Sequence, residues 1–298
     1  MTVNELVAIT RSDYLYDTLS PYKWSDMYLA TLFTQAEREA AKRLGGIADK
    51  TTQTSDNVAT GTATSTTTSK LVDTAAIFTS AMIGFTVYNS TDNTWATITA
   101  LDSPTSVSLS ANIMASGEVY AIGDASKALT RICVSSGVSA YTLSDKVIKI
   151  ERCYLASLGK GYPLRQILEA SYELSGTPSW YNEEKRLMTL IPTPDTALNS
   201  GTGKDTLNLE VYRLPLTDLS LTDSSEPEID EEYHFPLIHY VCSKAFMKFD
   251  GQAVDTTESQ WHEMEFTKVF GPPIGEDYMT KLRKMPTDFS LSSSNFGL

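Results

Sequence analysis

The stretch RLMTLIPTPDTALNSGTGKDTLNLEVYRLPL, residues 186–216, contains two strand patterns separated by a polar turn. In RLMTLIP and in LNLEVYRL, apolar and polar residues alternate, which is the spacing of a strand with one buried face. The string GTGKDT, Gly201–Thr206, holds two glycines and predicts a hairpin turn between these strands. Clean alternation is typical of antiparallel sheets, so we predict a central antiparallel β region over residues 126–225.

The GTGKDT string also matches part of a phosphate-binding loop. That motif requires a glycine five residues before its second glycine, where this chain has Leu198. It also requires a serine or threonine after the lysine, where the chain has Asp205. Because both requirements fail, we expect a turn here and no cofactor.

Short β-branched and aromatic runs in the first half of the chain predict an inserted, small all-β module. FTVYN, TWATITALD, SVSLSA and EVYAI are separated by turn clusters within residues 70–125. The preceding tract TTQTSDNVATGTATSTTTS has one charged residue and few apolar ones, which predicts a linker at residues 51–69. The aromatic residues of the β module, Tyr88, Trp95 and Tyr120, have two possible roles, either core packing or a platform for sugar rings.

Helical patterns lie near the N-terminus. A weak helix over residues 3–19 is followed by a clearer one, for which Ser25 is a good N-cap and Gly45 a stop signal. Within the second helix, Glu39 and Arg43 have the i, i+4 spacing of a helical ion pair.

Helical patterns return near the C-terminus, at residues 235–249, 256–270 and 275–285. Neither end of the chain is long enough to form a core alone, so we expect residues 1–50 and 226–285 to pack as one helical bundle. The predicted fold class is therefore α+β, with this bundle, the central antiparallel β region and the inserted β module. An extended Ser-rich tail follows at residues 286–298.

The segment EIDEEYHFPLIHYVCSKAF, residues 228–246, combines four acids, two histidines and a cysteine, as a metal site would. On a helix, His234 and His239 point about 140° apart, whereas chelating pairs are three or four residues apart. His262 begins an HExxH pattern whose second histidine is replaced by Phe266. No GxSxG motif occurs either, so we expect no catalytic, metal or cofactor-binding residues.

Composition restricts the class of partner. The 298-residue chain has a formal net charge of −13, which argues against gripping the nucleic-acid backbone. Hydrophobic residues make up 41% of the chain, which is enough for a core. No run approaches the roughly 20 apolar residues of a membrane helix. The N-terminal MTVNELVAITRSDY is too charged for a signal peptide. We expect a soluble cytosolic product whose three cysteines are buried free thiols.

Three stretches carry a family resemblance, in this order along the chain. Residues 14–44 combine a helix, a PYKWSD junction and an Ala/Arg-rich helix. Residues 175–216 contain strand patterns with Gly-x-Pro, Pro-x-Pro and a closing YRLPL, and residues 228–250 begin a helical hairpin. Together they resemble the head-to-tail connector, or adaptor, proteins of tailed bacteriophages, especially short-tailed ones. Residues 70–122 separately resemble a module found inside various phage structural proteins.

The resemblance implies a structural protein of the virion neck, between capsid and tail, made in the host bacterial cytoplasm. It implies a homo-oligomeric ring, expected to be a dodecamer, that binds the portal protein and a tail nozzle or tail tube protein. Double-stranded DNA would pass through the ring without specific binding, and no membrane is involved. The helical bundle would lie near the portal. Portal docking would use the apolar residues of the C-terminal tail: Phe289, Leu291, Phe296 and Leu298.

Two other functional classes remain as alternatives. A phage tail or decoration protein could bind host glycan through the β module, which predicts sugar binding by that module and no portal binding. A virion-associated hydrolase is the third class, and no motif in the sequence favours it.

Overall fold

The computed structural model describes residues 1–92, 94–167, 175–184, 186–222, 224–247 and 255–275. The chain divides into two compact units. Among the described residues, unit 1 contains Met1–Ala48 and residues 212–275, and unit 2 contains Asp49–Val211. None of the described helices combines the length and the hydrophobicity needed to cross a membrane.

Helices and strands have the following bounds in the described residues. The helices are α1 Val3–Ile9, α2 Asp26–Leu44, the single turn α3 Leu198–Gly201, α4 Leu237–Phe246 and α5 Thr256–Phe270. The strands are β1 Ile47–Asp49, β2 Asn57–Thr62, β3 Lys70–Val72, β4 Thr86–Asn89, β5 Thr94–Ser103, β6 Ser106–Leu109, β7 Val119–Gly123, β8 Arg131–Ser135, β9 Ala140–Thr142, β10 Val147–Leu155, β11 Arg165–Gln166, β12 Ser175–Gly176, β13 Trp180–Glu184, β14 Leu187–Ile191, β15 Thr193–Pro194 and β16 Lys204–Arg213.

Helix α2 begins and ends where its sequence predicts. The hydroxyl of Ser25 accepts a hydrogen bond from the backbone N–H of Tyr28 at 3.2 Å, as an N-cap does. Gly45 follows the last turn with a φ of 87°, a left-handed conformation that glycine adopts without a steric penalty. The expected ion pair is also present, with 2.9 Å between Arg43 Nε and Glu39 Oε1.

Helix α5 covers the predicted residues 256–270. The Asp255 carboxylate caps it by accepting the N–H groups of Thr257 and Glu258, and Gly271 ends it. The first predicted helix is shorter than expected, because α1 passes into a π-helical turn at Thr10–Tyr14 and then ends. The last predicted helix, at residues 275–285, lies outside the described residues except for residue 275.

The predicted helical bundle is wrong. Strands are the larger part of the α+β fold, with 31% of the described residues in strands and 27% in helices. In unit 1 the helices share their apolar core with irregular segments, which contribute Leu15, Trp24, Leu219 and Ile229. Helical periodicity identified the amphipathic segments but could not reveal that irregular chain fills part of their core.

In unit 2, β2 to β7 form a six-stranded antiparallel sheet in the order β2-β7-β4-β5-β6-β3. Its core includes Leu71, Val87, Ile98, Val107 and Ile122. Strand β2 lies within residues 51–69, which composition predicted as a linker. Threonine is β-branched and fits a strand, and pairing with β7 supplies the backbone hydrogen bonds that composition cannot reveal.

The expected hairpin between β14 and β16 is not formed. Strand β14 pairs with β13 and β9, whereas β16 pairs with β8, β10 and β1 in another sheet. Alternation predicted both strands correctly, but it specifies which face of a strand is buried and not which strand is its partner. The central region also contains two short parallel pairs, β11 with β13 and β12 with β15.

Candidate interaction surface

An apolar loop is exposed between the π-helical turn and α2, at residues 15–25. The side chains of Tyr16 and Leu19 are 81% and 82% exposed, and Met27, in the first turn of α2, is 74% exposed. Exposed apolar groups this close together commonly mark protein interfaces. We call residues 15–27, the loop together with the first two residues of α2, the apolar loop.

The apolar loop is held by a buried arginine. Arg11 Nη1 lies 2.7 Å from Asp17 Oδ2, and Arg11 Nη2 donates to the backbone carbonyl of Trp24 at 2.8 Å. The guanidinium also covers the Tyr22 ring, 3.8 Å from its centroid. Asp17 in turn accepts the backbone N–H of Lys23 at 3.0 Å. These bonds fix the backbone before any partner arrives, which lowers the entropy cost of binding.

A histidine pair joins α4 and α5. His239 Nδ1 and His262 Nδ1 are 2.9 Å apart, so one nitrogen donates and the other accepts. The Tyr14 ring packs edge-on against both imidazoles, at a centroid distance of 5.8 Å from each. Burial, and to a smaller extent the neighbouring His239, lower the pKa of His262 to about 4. The pair is therefore a neutral packing contact between two helices.

The structure separates the other histidine from this pair. His234 Nε2 donates to the carbonyl of Ile229 at 2.9 Å, and the ring is buried. Phe266, in the second histidine position of the HExxH pattern, is fully buried in the core. Within the described residues, no three His, Cys, Asp or Glu side chains are arranged to hold a metal.

The GTGKDT string runs from the last residue of α3, Gly201, into the first three residues of β16. Lys204 Nζ lies 5.4 Å from the centroid of the Trp95 ring, and the Asp205 carboxylate accepts from the Ser157 hydroxyl at 2.5 Å. Both charged side chains thus bind other parts of unit 2. These are structural contacts at the start of β16 rather than parts of a phosphate site.

The three aromatic residues considered as a sugar platform do not share an exposed face. Tyr88 and Tyr120 are 2% and 1% exposed, and the Tyr120 hydroxyl donates to Asp73 Oδ2 at 2.7 Å. Trp95 is half-buried and donates from its indole nitrogen to the carbonyl of Asp205. Core packing is therefore the role of Tyr88 and Tyr120, and the glycan alternative loses its proposed platform.

Prediction and structure cover different parts of the candidate interaction surfaces, namely the C-terminal tail and the apolar loop. The tail residues Phe289, Leu291, Phe296 and Leu298 lie outside the described residues. The sequence patterns do not reveal the apolar loop, because they predict a helix over residues 3–19 that includes Tyr16 and Leu19. Their departure from helical periodicity just before a proline is the signal that could have found it.

A sequence profile of the SU10 adaptor protein family matches residues 114–283, more than half of the chain. The chain belongs to the SU10 adaptor protein family. The SU10 adaptor match includes β7, the central strands, α4 and α5, and it begins after α1, α2 and most of the six-stranded sheet. No curated protein matches the sequence.

As an SU10 adaptor, the protein is a structural component of a bacteriophage. Adaptors of this kind lie in the virion neck and interact with portal and tail proteins. The predicted identity as a phage head-to-tail adaptor is confirmed.

Proposed function

We propose that this adaptor forms a ring of twelve copies beneath the portal of a short-tailed phage, with double-stranded DNA passing through its centre. The family match over residues 114–283 is the observation that carries the proposal. A ring repeats one heterologous contact around its axis, so each copy needs apolar surface for its neighbours. The apolar loop, with Tyr16 and Leu19 more than four-fifths exposed, supplies such surface.

The charge of the chain supports passage of DNA rather than binding. A net charge of −13 disfavours adhesion to phosphates, because adhesion requires clustered lysine and arginine side chains. An acidic ring would let DNA move through without being held, and no sequence-specific contact is part of the proposal.

The C-terminal tail is the proposed portal anchor. Residues 286–298 are polar and Ser-rich, with apolar side chains at Phe289, Leu291, Phe296 and Leu298. A polar segment with spaced apolar residues can become ordered along a partner, each apolar side chain filling a pocket. The tail nozzle or tail tube protein would bind elsewhere on the ring.

The all-β module at residues 70–125 is proposed to be an insertion. The family match begins at Met114, so most of the six-stranded sheet lies outside it. The module has its own apolar core, as an inserted module requires. It would add a tail-docking or ring-stabilising surface to a simpler adaptor.

Electron microscopy of the purified protein, alone and mixed with the portal protein of the same phage, tests the proposal. We expect a symmetric collar on the portal whose copies can be counted. Assembly of the protein alone is not required, since an adaptor can order only when its portal is present. A chain that stays monomeric and does not bind the portal would contradict the ring.

A further inference from the structure

An irregular segment connects β16 to α4 and crosses α2. This segment, residues 214–229 and here called the strap, has no helix or strand among its described residues. Leu219 and Ile229 anchor it in the apolar core of unit 1, where they are 7% and 6% exposed. The strap therefore relies on side-chain hydrogen bonds rather than on a backbone ladder.

Polar side chains of α2 supply part of those bonds. Thr34 Oγ1 accepts the backbone N–H of Leu219 at 3.0 Å. Glu37 Oε1 accepts the backbone N–H of Glu228, close to the other end of the strap. Arg38 adds an ion pair to Asp218, on the more exposed side. Thr34 and Glu37, one helical turn apart, thus hold the strap at two points.

The strap also closes on itself through Glu228. Its carboxylate accepts the backbone N–H groups of Leu216 at 2.7 Å and Thr217 at 2.9 Å, and pairs with Arg213 at 2.6 Å. Although burial opposes ionisation, these donors hold the pKa of Glu228 below its usual value. Glu228 is therefore a charged carboxylate beside Glu37.

The carboxyl group of Glu37 differs from that of Glu228 in its hydrogen bonding. Its side chain is fully buried, and Oε2 has no hydrogen-bond partner in the described part of the chain. Burial raises the pKa of Glu37 from 4.5 to about 7, the Glu228 charge adds to the rise, and the N–H groups of Glu228 and Ile229 with Arg213 oppose it. An ionised Glu37 would place a second negative charge next to Glu228 with one oxygen lacking a donor, which is costly in a buried site.

We propose that the strap is a latch that Glu37 holds closed while its carboxyl group is uncharged and loosens when that group ionises. A neutral Glu37 still offers an oxygen to the Glu228 N–H, so the closed form keeps its bond. Ionisation favours an open form in which the carboxylate reaches water. The charged groups that face Glu37 are Glu228 and Arg213, and neither supplies a donor to Oε2. This inference does not depend on ring formation.

Hydrogen–deuterium exchange of the full chain at pH 6 and pH 8, corrected for the intrinsic exchange rate, tests the latch. Peptides from the strap are expected to lose about tenfold in protection between the two pH values, which follows from a carboxyl of pKa about 7 when closed and 4.5 when open. Peptides from α5 serve as the internal reference. Equal behaviour of strap and α5 peptides in the unmodified protein would overturn the proposal.

The variant Glu37→Gln keeps an oxygen for the Glu228 N–H and cannot ionise. Its strap is expected to show the same protection at both pH values. A tenfold loss that persists in this variant would assign the pH response to another group and would also overturn the proposal. The comparison in the unmodified chain decides the question even if the variant folds poorly.

Discussion

Arg43 on α2 and Glu263 on α5 form an ion pair, with 3.1 Å between Nη2 and Oε1. The Arg43 side chain is almost fully buried, and it also donates to the hydroxyl of Thr267 at 3.2 Å and to the carbonyl of Gly271 at 3.0 Å. Its guanidinium lies 4.8 Å from the centroid of the Phe266 ring. One side chain thus joins a helix near the start of the chain to a helix near its end.

Replacing Arg43 should therefore destabilise unit 1. We expect Arg43→Ala to lower the free energy of unfolding by about 2 kcal/mol, because it leaves a cavity and buried groups without a donor. The midpoint of urea unfolding, followed by tryptophan fluorescence, measures this. Lys268→Ala is the control, since its solvent-exposed ion pair with Glu265 should contribute little to stability. Equal midpoints for the two variants would contradict the assigned role.

Gly61 in β2 should not tolerate a side chain. A Cβ at this position would lie 2.4 Å from Asp73 Oδ2 and 2.7 Å from the Tyr120 hydroxyl, the two partners of a buried hydrogen bond. We expect Gly61→Ala to destabilise the six-stranded sheet by about 2–3 kcal/mol. Gly161→Ala is the matched control, because no atom lies within 4 Å of its Cβ. Thermal unfolding of both variants should separate them, and equal melting temperatures would refute the clash.

Acidification should destabilise the contact between α4 and α5. The pKa of His262 is about 4 in the folded chain and 6.5 ordinarily, so the unfolded chain binds more protons between these values. The contribution of His262 to stability is complete above pH 6.5 and is lost as the pH falls toward 4. The loss of stability at pH 5 is about 1–2 kcal/mol. Urea unfolding at pH 7 and pH 5 should show that the free energy of unfolding falls less in His262→Phe than in the unmodified chain.

The control for this experiment is Thr257→Ala, an exposed position on the same helix. It should keep the full pH dependence of the unmodified chain. A His262→Phe variant with that same dependence would rule out His262 as its source.

The apolar loop should matter for assembly and not for folding. Leu19→Ser is expected to change the free energy of unfolding by no more than about 0.5 kcal/mol, because the side chain is 82% exposed. It should reduce the fraction of portal particles that carry a complete collar in electron micrographs. The control is Ile77→Ser, an exposed apolar position that lies in unit 2 and outside the apolar loop, and it should leave collar formation unchanged. Normal collars with Leu19→Ser would remove the loop from the proposed ring contact.

Deleting residues 286–298 should leave the fold intact and weaken attachment to the portal. The proposed reason is the loss of the four apolar anchors, so replacing Phe289 and Leu291 by serine should weaken attachment in part. Ser292→Ala with Ser293→Ala is a control that keeps the length and the anchors. Co-sedimentation with portal particles measures attachment. Full binding by the truncated chain would show that the tail is not the anchor.

Local signals were sufficient for several elements. Ser25 and Gly45 determined the ends of α2 through capping and backbone conformation, which depend on a few neighbouring residues. Alternation located β14 and β16 for the same reason. The resemblance to phage adaptors, carried by residue patterns along the chain, gave the family that the later match confirmed.

The sequence by itself determined the segments that can be helix or strand, and the lack of recognisable catalytic motifs, because both depend on short-range spacing. Only the tertiary structure decided that β16 pairs with β8 and β10 instead of β14, and that irregular chain shares the core of unit 1. It also decided that Tyr88 is buried while Tyr16 is exposed. These outcomes depend on contacts between residues far apart in the chain, and such contacts are chosen by competition among many partners of similar local pattern.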